Sequence, residues 1–440
     1  MRWHRRSGVQ RMRAYIHVRR VRWHRRDHRC RRSERHRGRP QRCPRRHRLQ
    51  RSELDARRRA KADRSLSLRA PERRRCPTEQ GSHPMRVTAS ADHLAAALKH
   101  SVAARNSTMP VLTHVRLQAD DNGLQLQTSD TEIYVSHRIP AEVQQPGAIC
   151  MSEAKLKAVC AATGDVNLDS DGRAIRGRSR FTIETLPADT FPAPEESEFT
   201  PLDLDPAELL AAINATSYAA DDGDVRPLCR VVHVEPGRAW GTNGHMLARI
   251  AISYNGPPIR IPEAQTRRLA AMLALDGVKL LASSVSSDRV GMLQVVADGA
   301  SIVLRCLDGT GATIDQLFPV LDKRPRVVVD RKELSNALRR LRPFLPTPKS
   351  PLAALQFGED GISAALPDGS TTEFVAADMP AKALPTVGVN PDYLLMILSA
   401  LDGEKVELYP PAGVNDGPIV VLPENGDIEV LAHVVMPCRI

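Results

Sequence analysis

Features that define several common protein classes are missing from this chain of 440 residues. No run approaches the roughly 20 apolar residues of a membrane-spanning helix, so we expect a soluble, cytoplasmic protein. No Cys-x-x-Cys pair occurs, and the cysteines after Met85 are scattered, which favours neither a zinc site nor a disulfide framework. We expect buried free thiols and no cofactor or metal. These cysteines are Cys150, Cys160, Cys229, Cys306 and Cys438.

Motifs for enzyme chemistry are also missing. No serine or cysteine sits in a nucleophile elbow, no glycine-rich phosphate loop follows a strand, and no residues have metal-ligand spacing. The distant alternative is an enzyme in which His245 acts as a general base, supported by Asp221, Asp222 or Asp224. Such an aspartate cluster more often caps or solvates a loop, so we predict no catalytic residue.

Residues 1–84 differ from the rest of the chain in charge. They hold 30 basic residues against seven acidic ones, a net charge of +23, whereas the whole chain is +12, so residues 85–440 carry −11. This segment has almost no apolar periodicity, which predicts disorder. It could be an arm that binds nucleic acid through phosphates, or a targeting segment, although it lacks the apolar centre of a secretory signal. We favour a third interpretation, a non-native extension before a natural start at Met85.

Six helices are predicted at nearly even spacing, roughly 60 residues apart. In each case a β-type run ends in a capping residue or a proline, and these positions are Ser90, Ser152, Asp205, Pro262, Asp330 and Asn390. The helices form three cognate pairs, because SADHLAAAL, DPAELLAAI and DRKELSNAL place Leu94, Leu209 and Leu334 at the same position. Three copies of a two-helix unit indicate a curved or closed assembly rather than an active-site cleft.

Strand-like runs outnumber the helices, and many alternate apolar and polar residues, as in HVRLQA (114–119). This predicts an α+β fold in which two helices of each unit pack on antiparallel sheets. Proline and acidic residues cluster in FPAPEESEFTP (191–201) and FPVLDKRPR (318–326), which we interpret as linkers. The predicted domains are therefore 85–196, 197–322 and 323–440.

The predicted helices separate an apolar stripe from a basic one. In 330–345 the apolar residues recur at helical spacing, and they are Leu334, Leu338, Leu341 and Leu345. Helices 152–163 and 262–275 repeat the arrangement. One charged stripe is usually a solvated face, but basic stripes on corresponding helices of an acidic body indicate a surface that faces a polyanion.

Several segments resemble the β sliding clamp of bacterial DNA polymerase III. SRFTIETLPADTFP (179–192) is similar to the segment that closes the family's first domain. GTNGHMLARI (241–250) resembles the family's T-D-G-H-R-L loop, and HVVMPCRI (433–440) resembles its closing V-V-M-P-M-R-L. TMPVL (108–112) and DVR (224–226) also fit. The resemblance covers 85–440 in order, whereas residues 1–84 have no counterpart.

The resemblance implies three DNA-clamp domains per subunit, forming half of a ring. Two subunits would join head to tail as a homodimer, with helices lining the hole and sheets outside. Such a ring is a processivity factor that encircles duplex DNA without sequence preference. By position, the DNA-facing candidates are Lys99, Arg105, Lys155, Lys157, Arg267, Arg268, Arg339 and Arg340.

The family also implies a pocket for short linear motifs of the DNA polymerase III α subunit, the clamp loader, other polymerases and repair proteins. Matching positions here are Arg226, Cys229, Thr242, Gly244, His245, Met246, Leu247, Leu317, Val414, Val434, Met436 and Cys438. After D-V-R the family has two tyrosines and a leucine, where this chain has Pro227, Leu228 and Cys229. Met246 replaces an arginine. We therefore expect altered selectivity.

The subunit contact is predicted on an edge strand and a helix end. Arg178, Arg180, Phe181 and Ile183 of one subunit would meet Phe344 and Leu345 of its partner. The resemblance implies a cytoplasmic, nucleoid-associated protein. A nearer alternative than an enzyme is a diverged second clamp copy that serves a specialised polymerase or competes with the main clamp.

Overall fold

The computed structural model describes residues 85–103, 108–194, 197–286, 289–308, 312–345, 351–380, 384–411 and 417–440. The predicted disordered extension 1–84, the candidate DNA contact Arg105 and the candidate pocket residue Val414 lie outside these ranges. The described part is an α+β fold with antiparallel sheets, which confirms the predicted fold class. Across the described residues, each helix is too short or too polar to cross a lipid bilayer.

The six α-helices of the described residues begin where the sequence predicts. They are α1 (Ala91–Lys99), α2 (Glu153–Val159), α3 (Pro206–Thr216), α4 (Glu263–Leu273), α5 (Arg331–Leu341) and α6 (Pro391–Ala400). Each predicted capping residue is the N-cap of its helix. Asp205, Asp330 and Asn390 each accept a hydrogen bond from a first-turn amide at 2.8 to 2.9 Å. Capping by a short polar side chain thus fixes these boundaries.

All three helices with predicted ends stop earlier than expected, and α4 does so by two residues, at Leu273 rather than 275. Helix α2 stops at Val159 rather than near 163, and Gly164 follows in a turn with φ +110°. Helix α5 stops at Leu341, and residues Arg342–Phe344 continue as a 3-10 turn. Pro343 has no N–H to donate to the preceding turn, which explains the change of helix type.

The strands alternate with these helices along the chain. They are β1 (Arg86–Ser90), β2 (His114–Asp120), β3 (Gly123–Ser129), β4 (Ile133–Ile139), β5 (Ala141–Gln145), β6 (Gly147–Ser152), β7 (Asp165–Asp169), β8 (Arg173–Arg176), β9 (Ser179–Thr182), β10 (Thr185–Leu186), β11 (Thr200–Pro201), β12 (Val231–Glu235), β13 (Arg238–Thr242), β14 (Met246–Ala251), β15 (Ile259–Pro262), β16 (Lys279–Ser286), β17 (Arg289–Ala297), β18 (Ala300–Arg305), β19 (Val327–Asp330), β20 (Ala353–Phe357), β21 (Gly361–Ala365), β22 (Thr372–Asp378), β23 (Val387–Val389), β24 (Lys405–Tyr409), β25 (Ile419–Pro423) and β26 (Leu431–Val435).

These strands form three sheets. The first has the order β5-β1-β7-β8-β9, the second β10-β6-β2-β3-β4-β18-β17-β16-β11, and the third β15-β12-β13-β14-β26-β25-β24-β19-β22-β21-β20-β23. Two antiparallel pairings therefore join parts of the chain that are far apart in sequence. We call the pairing of β4 with β18 the first seam and that of β14 with β26 the second seam.

Three large apolar cores follow one another along the chain. One draws on residues between Met85 and Ile183, one mainly on residues between Leu204 and Cys306, and one on residues between Val327 and Val435. Leu94, Leu209 and Leu334 are fully buried in the three cores, as their cognate positions predict. The second core also takes Val135 from β4, so it extends across the first seam. The domain boundaries stay a prediction.

The expectation of buried thiols holds for four of the five described cysteines, since Cys438 is exposed. Burial raises the pKa of Cys150 and Cys160 to about 11. Reactive thiolates have lowered pKa values. These two side chains therefore act as small apolar core residues.

Candidate functional site

The loop between β13 and β14 is held by its own side chains. Thr242 Oγ1 donates to the carbonyl of Met246 at 2.7 Å, and Asn243 Oδ1 accepts from the amides of His245 and Met246, both at 2.9 Å. Gly244 has φ +83°, a conformation that favours glycine. The pocket loop, Thr242–Met246, therefore presents the exposed His245 in a fixed turn.

Arg226 braces the pocket loop from the side. Its Nη2 donates to the carbonyl of Asn243 at 2.7 Å, and its guanidinium forms a two-pronged pair with Asp224 at 2.6 and 3.0 Å. These hydrogen bonds lower the pKa of Asp224 to about 2. A Cβ at Gly244 would lie 2.5 Å from Arg226 Nη1, so a larger residue would displace the guanidinium from the loop.

The chain's last described segment and α6 complete this side of the loop. The His245 ring stacks on Tyr393 of α6 with centroids 5.8 Å apart, and the Met436 amide donates to the His245 carbonyl at 2.8 Å. Met246 is buried with Tyr218 and Tyr393 at its side. The Cys438 amide donates to the carbonyl of Gly388 on β23 at 2.8 Å. The pocket loop thus touches α6 and the 436–438 segment.

Leu247 points to the opposite face of β14 from Met246, because side chains alternate along a strand. It lies in an apolar cluster of buried residues: Trp240, Leu247, Ile314, Val420, Leu422, Ala432 and Val434. The half-buried Leu228, Phe318 and Leu321 pack against this apolar cluster. At the sequence positions next to Phe318 and Leu321, Leu317 is 40% and Val320 65% exposed. The apolar cluster is therefore bordered by exposed apolar side chains at Leu317 and Val320.

The structure brings most of the predicted pocket residues to these two faces. Arg226, Thr242, Gly244, His245, Met246 and Met436 lie in or against the pocket loop, whereas Leu247 and Val434 belong to the apolar cluster. Leu317 adjoins Phe318 of that cluster in sequence, and Cys438 bonds to Gly388. Cys229 is 1% exposed, as buried as Leu247 and Val434, and stays a predicted pocket residue, while its neighbour Leu228 packs on the apolar cluster. The sequence reasoning also missed Tyr393 and Phe318. A tyrosine off the buried stripe of α6 was the available signal for Tyr393.

Two buried histidines lie near this region. His433 of β26 is fully buried, and its Nδ1 is 2.6 Å from the Tyr218 hydroxyl. His233 of β12 stacks face to face on Trp240 with centroids 3.7 Å apart. Burial lowers the pKa of each imidazole to about 4. Both side chains are therefore neutral at pH 7.

The three aspartates of the alternative general-base arrangement are engaged elsewhere. Asp224 pairs with Arg226, Asp222 pairs with Arg230 at 3.0 Å, and Asp221 accepts from the amide of Gly223 at 3.0 Å. They cap and solvate their own loop, while His245 stacks on an aromatic ring.

The candidate DNA contacts differ in whether they form an ion pair within the chain. The described members are all exposed: Lys99, Lys155, Lys157, Arg267, Arg268, Arg339 and Arg340. Lys155 lies 3.3 Å from Glu184, Lys157 pairs with Glu153 one turn away, and Arg340 makes a two-pronged pair with Glu373 of β22. Arg340 therefore leans towards the sheet. Helices α3 and α6 contain no Lys or Arg, which narrows the basic surface to the other four helices.

The predicted subunit contact is partly corrected. Strand β9 is an edge strand with Arg178 and Arg180 exposed beside it and Phe181 half-buried. Phe344 is 61% exposed. The side chains of Ile183 and Leu345 instead lie in the cores, because the alternation of the strand and the leucine stripe of α5 turn them inward.

The sequence reasoning also missed an exposed surface on strand β22. Thr372–Ala376 of β22 pair with β21 on one side, and no strand of the described residues pairs with them on the other. Phe374 of this free edge is 58% exposed. Helix α5 packs beside β22, as the Arg340–Glu373 pair shows. An unpaired edge with an exposed aromatic ring is a template for another strand.

Comparisons with known proteins agree with this geometry. The family model of the DNA polymerase III beta subunit, N-terminal domain, matches residues 85–195. The chain is 29% identical to the beta sliding clamp of Pseudomonas putida over 364 residues, covering 77% of this chain and 95% of the relative. It is 24% identical to that of Bacillus subtilis over 386 residues, covering 81% and 100%.

Solved clamp structures show the same fold. A Pseudomonas aeruginosa DNA polymerase sliding clamp superposes with a TM-score of 0.70 at 25% identity, covering 81% of this chain and all of that one. A Caulobacter crescentus beta sliding clamp gives a TM-score of 0.72 at 22% identity, with 82% and full coverage. Both the curated relatives and the solved structures therefore match about four fifths of this chain. Over that part the chain is similar to bacterial DNA polymerase III β subunits, the β sliding clamps.

Proposed function

We propose that this chain is a DNA sliding clamp, a non-catalytic processivity factor that encloses duplex DNA and tethers a polymerase to it. The observation that carries the proposal is the likeness to β clamps across more than three quarters of the chain. Similarity to this family does not favour the alternatives of an enzyme using His245 or a specialised second copy. A ring that holds DNA by enclosure needs no base-specific contact.

The DNA-facing surface in this proposal consists of exposed basic residues on α1, α2, α4 and α5. Lys99, Arg267, Arg268 and Arg339 carry most of the attraction, because Arg340 is committed to Glu373. Exposed ion pairs such as Lys155–Glu184 are weak and can be exchanged for phosphate contacts. The attraction is sequence-blind and falls with salt. The acidic remainder of residues 85–440 discourages DNA from other surfaces.

The ring closes in this proposal as a head-to-tail homodimer. The edge of β9, with Arg178 and Arg180, would pair with the free edge of β22 on the partner, where Glu373 and Phe374 lie. This pairing joins opposite charges around the exposed rings of Phe344 and Phe374. It would also remove two unpaired sheet edges at once.

The dimer is tested by replacing the two exposed phenylalanines with charged residues. Phe344→Asp with Phe374→Asp would yield monomers in sedimentation equilibrium. Met396→Asp, an exposed apolar side chain on α6, is the matched control and would leave the dimer intact. A dimer that survives the double change would contradict this contact.

The pocket loop and the apolar cluster form the proposed binding surface for client proteins. Its half-buried leucine, phenylalanine and exposed methionine side chains suit short apolar motifs of varied sequence. The clients are the DNA polymerase III α subunit, the clamp loader and further DNA-processing proteins, and the protein would be associated with the nucleoid.

Enclosure is tested by topology. The chain is loaded onto a nicked circular plasmid by a bacterial clamp loader, and the plasmid is isolated and then linearised. We expect retention on the circle and release from the linear form. Retention on linear DNA would indicate a groove binder, and would overturn the proposal.

A further inference from the structure

The apolar cluster is bordered by two segments that lie outside the strands. One is the wall segment 312–321, which has only a 3-10 turn, Asp315–Leu317, before a second begins at Leu321. It supplies Ile314, Phe318 and Leu321 to the cluster. The other is 427–430, which supplies Ile428 and whose Val430 carbonyl accepts from the Ala251 amide of β14 at 2.7 Å. Segments with few backbone hydrogen bonds to a sheet need side chains to fix their position.

A single buried cation joins both segments. Arg249 lies on the same face of β14 as Leu247, between Trp240 of β13 and Ala432 of β26. Its Nη2 donates to the Ile428 carbonyl at 2.7 Å and lies 3.3 Å from Glu429. Its guanidinium covers the Phe318 ring at 4.1 Å from the centroid, and Nη1 is 3.7 Å from Asp315.

Asp315 is held from a second direction. Arg238 of β13 donates to the Asp315 carboxylate at 2.5 Å and also pairs with Glu235, which accepts from the Trp240 indole at 3.2 Å. The wall segment is therefore tied to two adjacent strands through one carboxylate. Arg249 differs from Arg238 because it also binds the 427–430 segment and the Phe318 ring.

Burying a guanidinium is costly unless its charge and its N–H groups find partners. Here a carbonyl, two carboxylates and an aromatic face supply them, and each partner belongs to a bordering segment. We propose that Arg249 is a positioning residue for the binding surface, setting the distance between the 312–321 and 427–430 walls. This inference rests on the proposed function of the surface as a client-binding site.

Arginine is required here by geometry. Its planar guanidinium can stack on Phe318 while its edge donates to Ile428, whereas a lysine ammonium offers a point charge without a flat face. Arg249→Lys should keep the charge and lose the stacking. Arg249→Met should lose both and fill most of the volume.

The binding test uses a fluorescein-labelled hexapeptide with leucine and phenylalanine anchors, measured by fluorescence anisotropy on the full chain. We expect Arg249→Met to weaken Kd by about 20-fold, mainly through faster dissociation, and Arg249→Lys by about fivefold. The matched control is Arg138→Met, which removes a closer ion pair, with Asp120 at 2.6 Å on another sheet, and should stay within about twofold. Wild-type affinity in Arg249→Met would overturn the inference.

A second arm needs no ligand. Amide hydrogen exchange should accelerate in 314–318 and 428–430 of both Arg249 variants and stay unchanged in β1–β9. If Arg249→Met does not fold, Arg249→Lys and Phe318→Leu carry the same test, because Phe318→Leu removes only the ring. Unchanged exchange in both segments would refute a positioning role.

The two arms separate this inference from the proposed function. If the wild-type chain binds no hexapeptide while its Arg249 variants show the local exchange change, the client-binding proposal fails and the positioning role stands. If the wild type binds and the variants match it in both arms, the positioning role fails and the proposed function stands.

Discussion

The two seams are built alike and differ in what surrounds them. Each is an antiparallel pairing of five residues with five, Ile133–His137 with Ala300–Leu304 and Met246–Ile250 with Leu431–Val435. The first seam has the second core on one face. Its other face lines a cavity, with Tyr134, Ser136, Ser301 and Val303 in the wall. The second seam has the pocket loop on one face and the apolar cluster on the other. The two seams therefore share their strand pairing and differ in what covers their faces.

What distinguishes the second seam is the number of segments outside the strands that converge on it. The 224–230 loop, the 312–321 wall, the 427–430 segment and residues 436–438 all reach it. Such segments are held by side chains, and they can expose apolar rings at their margins. The comparison suggests that a seam becomes a site when loops, rather than strands, complete its core.

The largest expected effect separates stability from binding. Leu247→Ala in the second seam and Leu304→Ala in the first remove equally buried side chains, at 2% and 0% exposure. Each should lower the free energy of unfolding by about 2–5 kcal/mol, measured by chemical denaturation. Only Leu247→Ala should also weaken hexapeptide binding. Equal loss of binding in both variants would show that the seams do not differ functionally.

An intermediate effect concerns pH, because each seam has one histidine whose pKa burial lowers from 6.5 to about 4: His137 and His433. The unfolded chain takes up these protons first as the pH falls. The free energy of unfolding should have its full value above pH 6.5. It should fall as the pH drops towards 4, by up to about 1.4 kcal/mol per pH unit for each histidine. Denaturation midpoints across this range measure it.

His137→Gln and His433→Gln should each remove the contribution of one histidine to the pH dependence of the free energy of unfolding. If only His433→Gln reduces this pH dependence, the pKa of His137 is not lowered in the folded chain. The two seams would then differ in burial as well as in function. A slope unaltered in both variants would assign the pH dependence to other groups.

The smallest effect tests the aromatic stack at the pocket loop. Tyr393→Leu removes the ring that stacks on His245 and should weaken hexapeptide binding by about 3- to 10-fold with little change in stability. Tyr134→Leu, on β4 of the first seam, is its matched control and should leave Kd unchanged. An effect of equal size in both would place the loss in general destabilisation.

The local structure could be predicted well because its causes are local. Four of the six helices begin at a side chain that caps a first-turn amide, Ser90, Asp205, Asp330 and Asn390. The stripe of Leu334, Leu338 and Leu341 set the buried face of α5. The basic residues on four helices were likewise evident from helical spacing.

The errors arose where distant segments meet. The packing of Leu228 on the apolar cluster, which the sequence did not predict, depends on how a 3-10 turn, Pro227–Arg230, meets strands from the end of the chain. The burial of Ile183 and Leu345 depends on which face of an edge the core covers. The edge of β22 is free because no second strand of the described residues pairs with 372–376. The TEFVAAD run shows only that a strand forms there. No local pattern carries such information.

The second seam also sets an order of events during synthesis. Strand β14 emerges long before β26, and at about 5–20 residues per second the delay is on the order of ten seconds or more. Until then strand β14 lacks its partner β26, and Met246 and Leu247 stay uncovered on that side. Only subunits whose translation has passed β26 can display the surface to which other replication proteins would dock, so unfinished chains cannot compete for them.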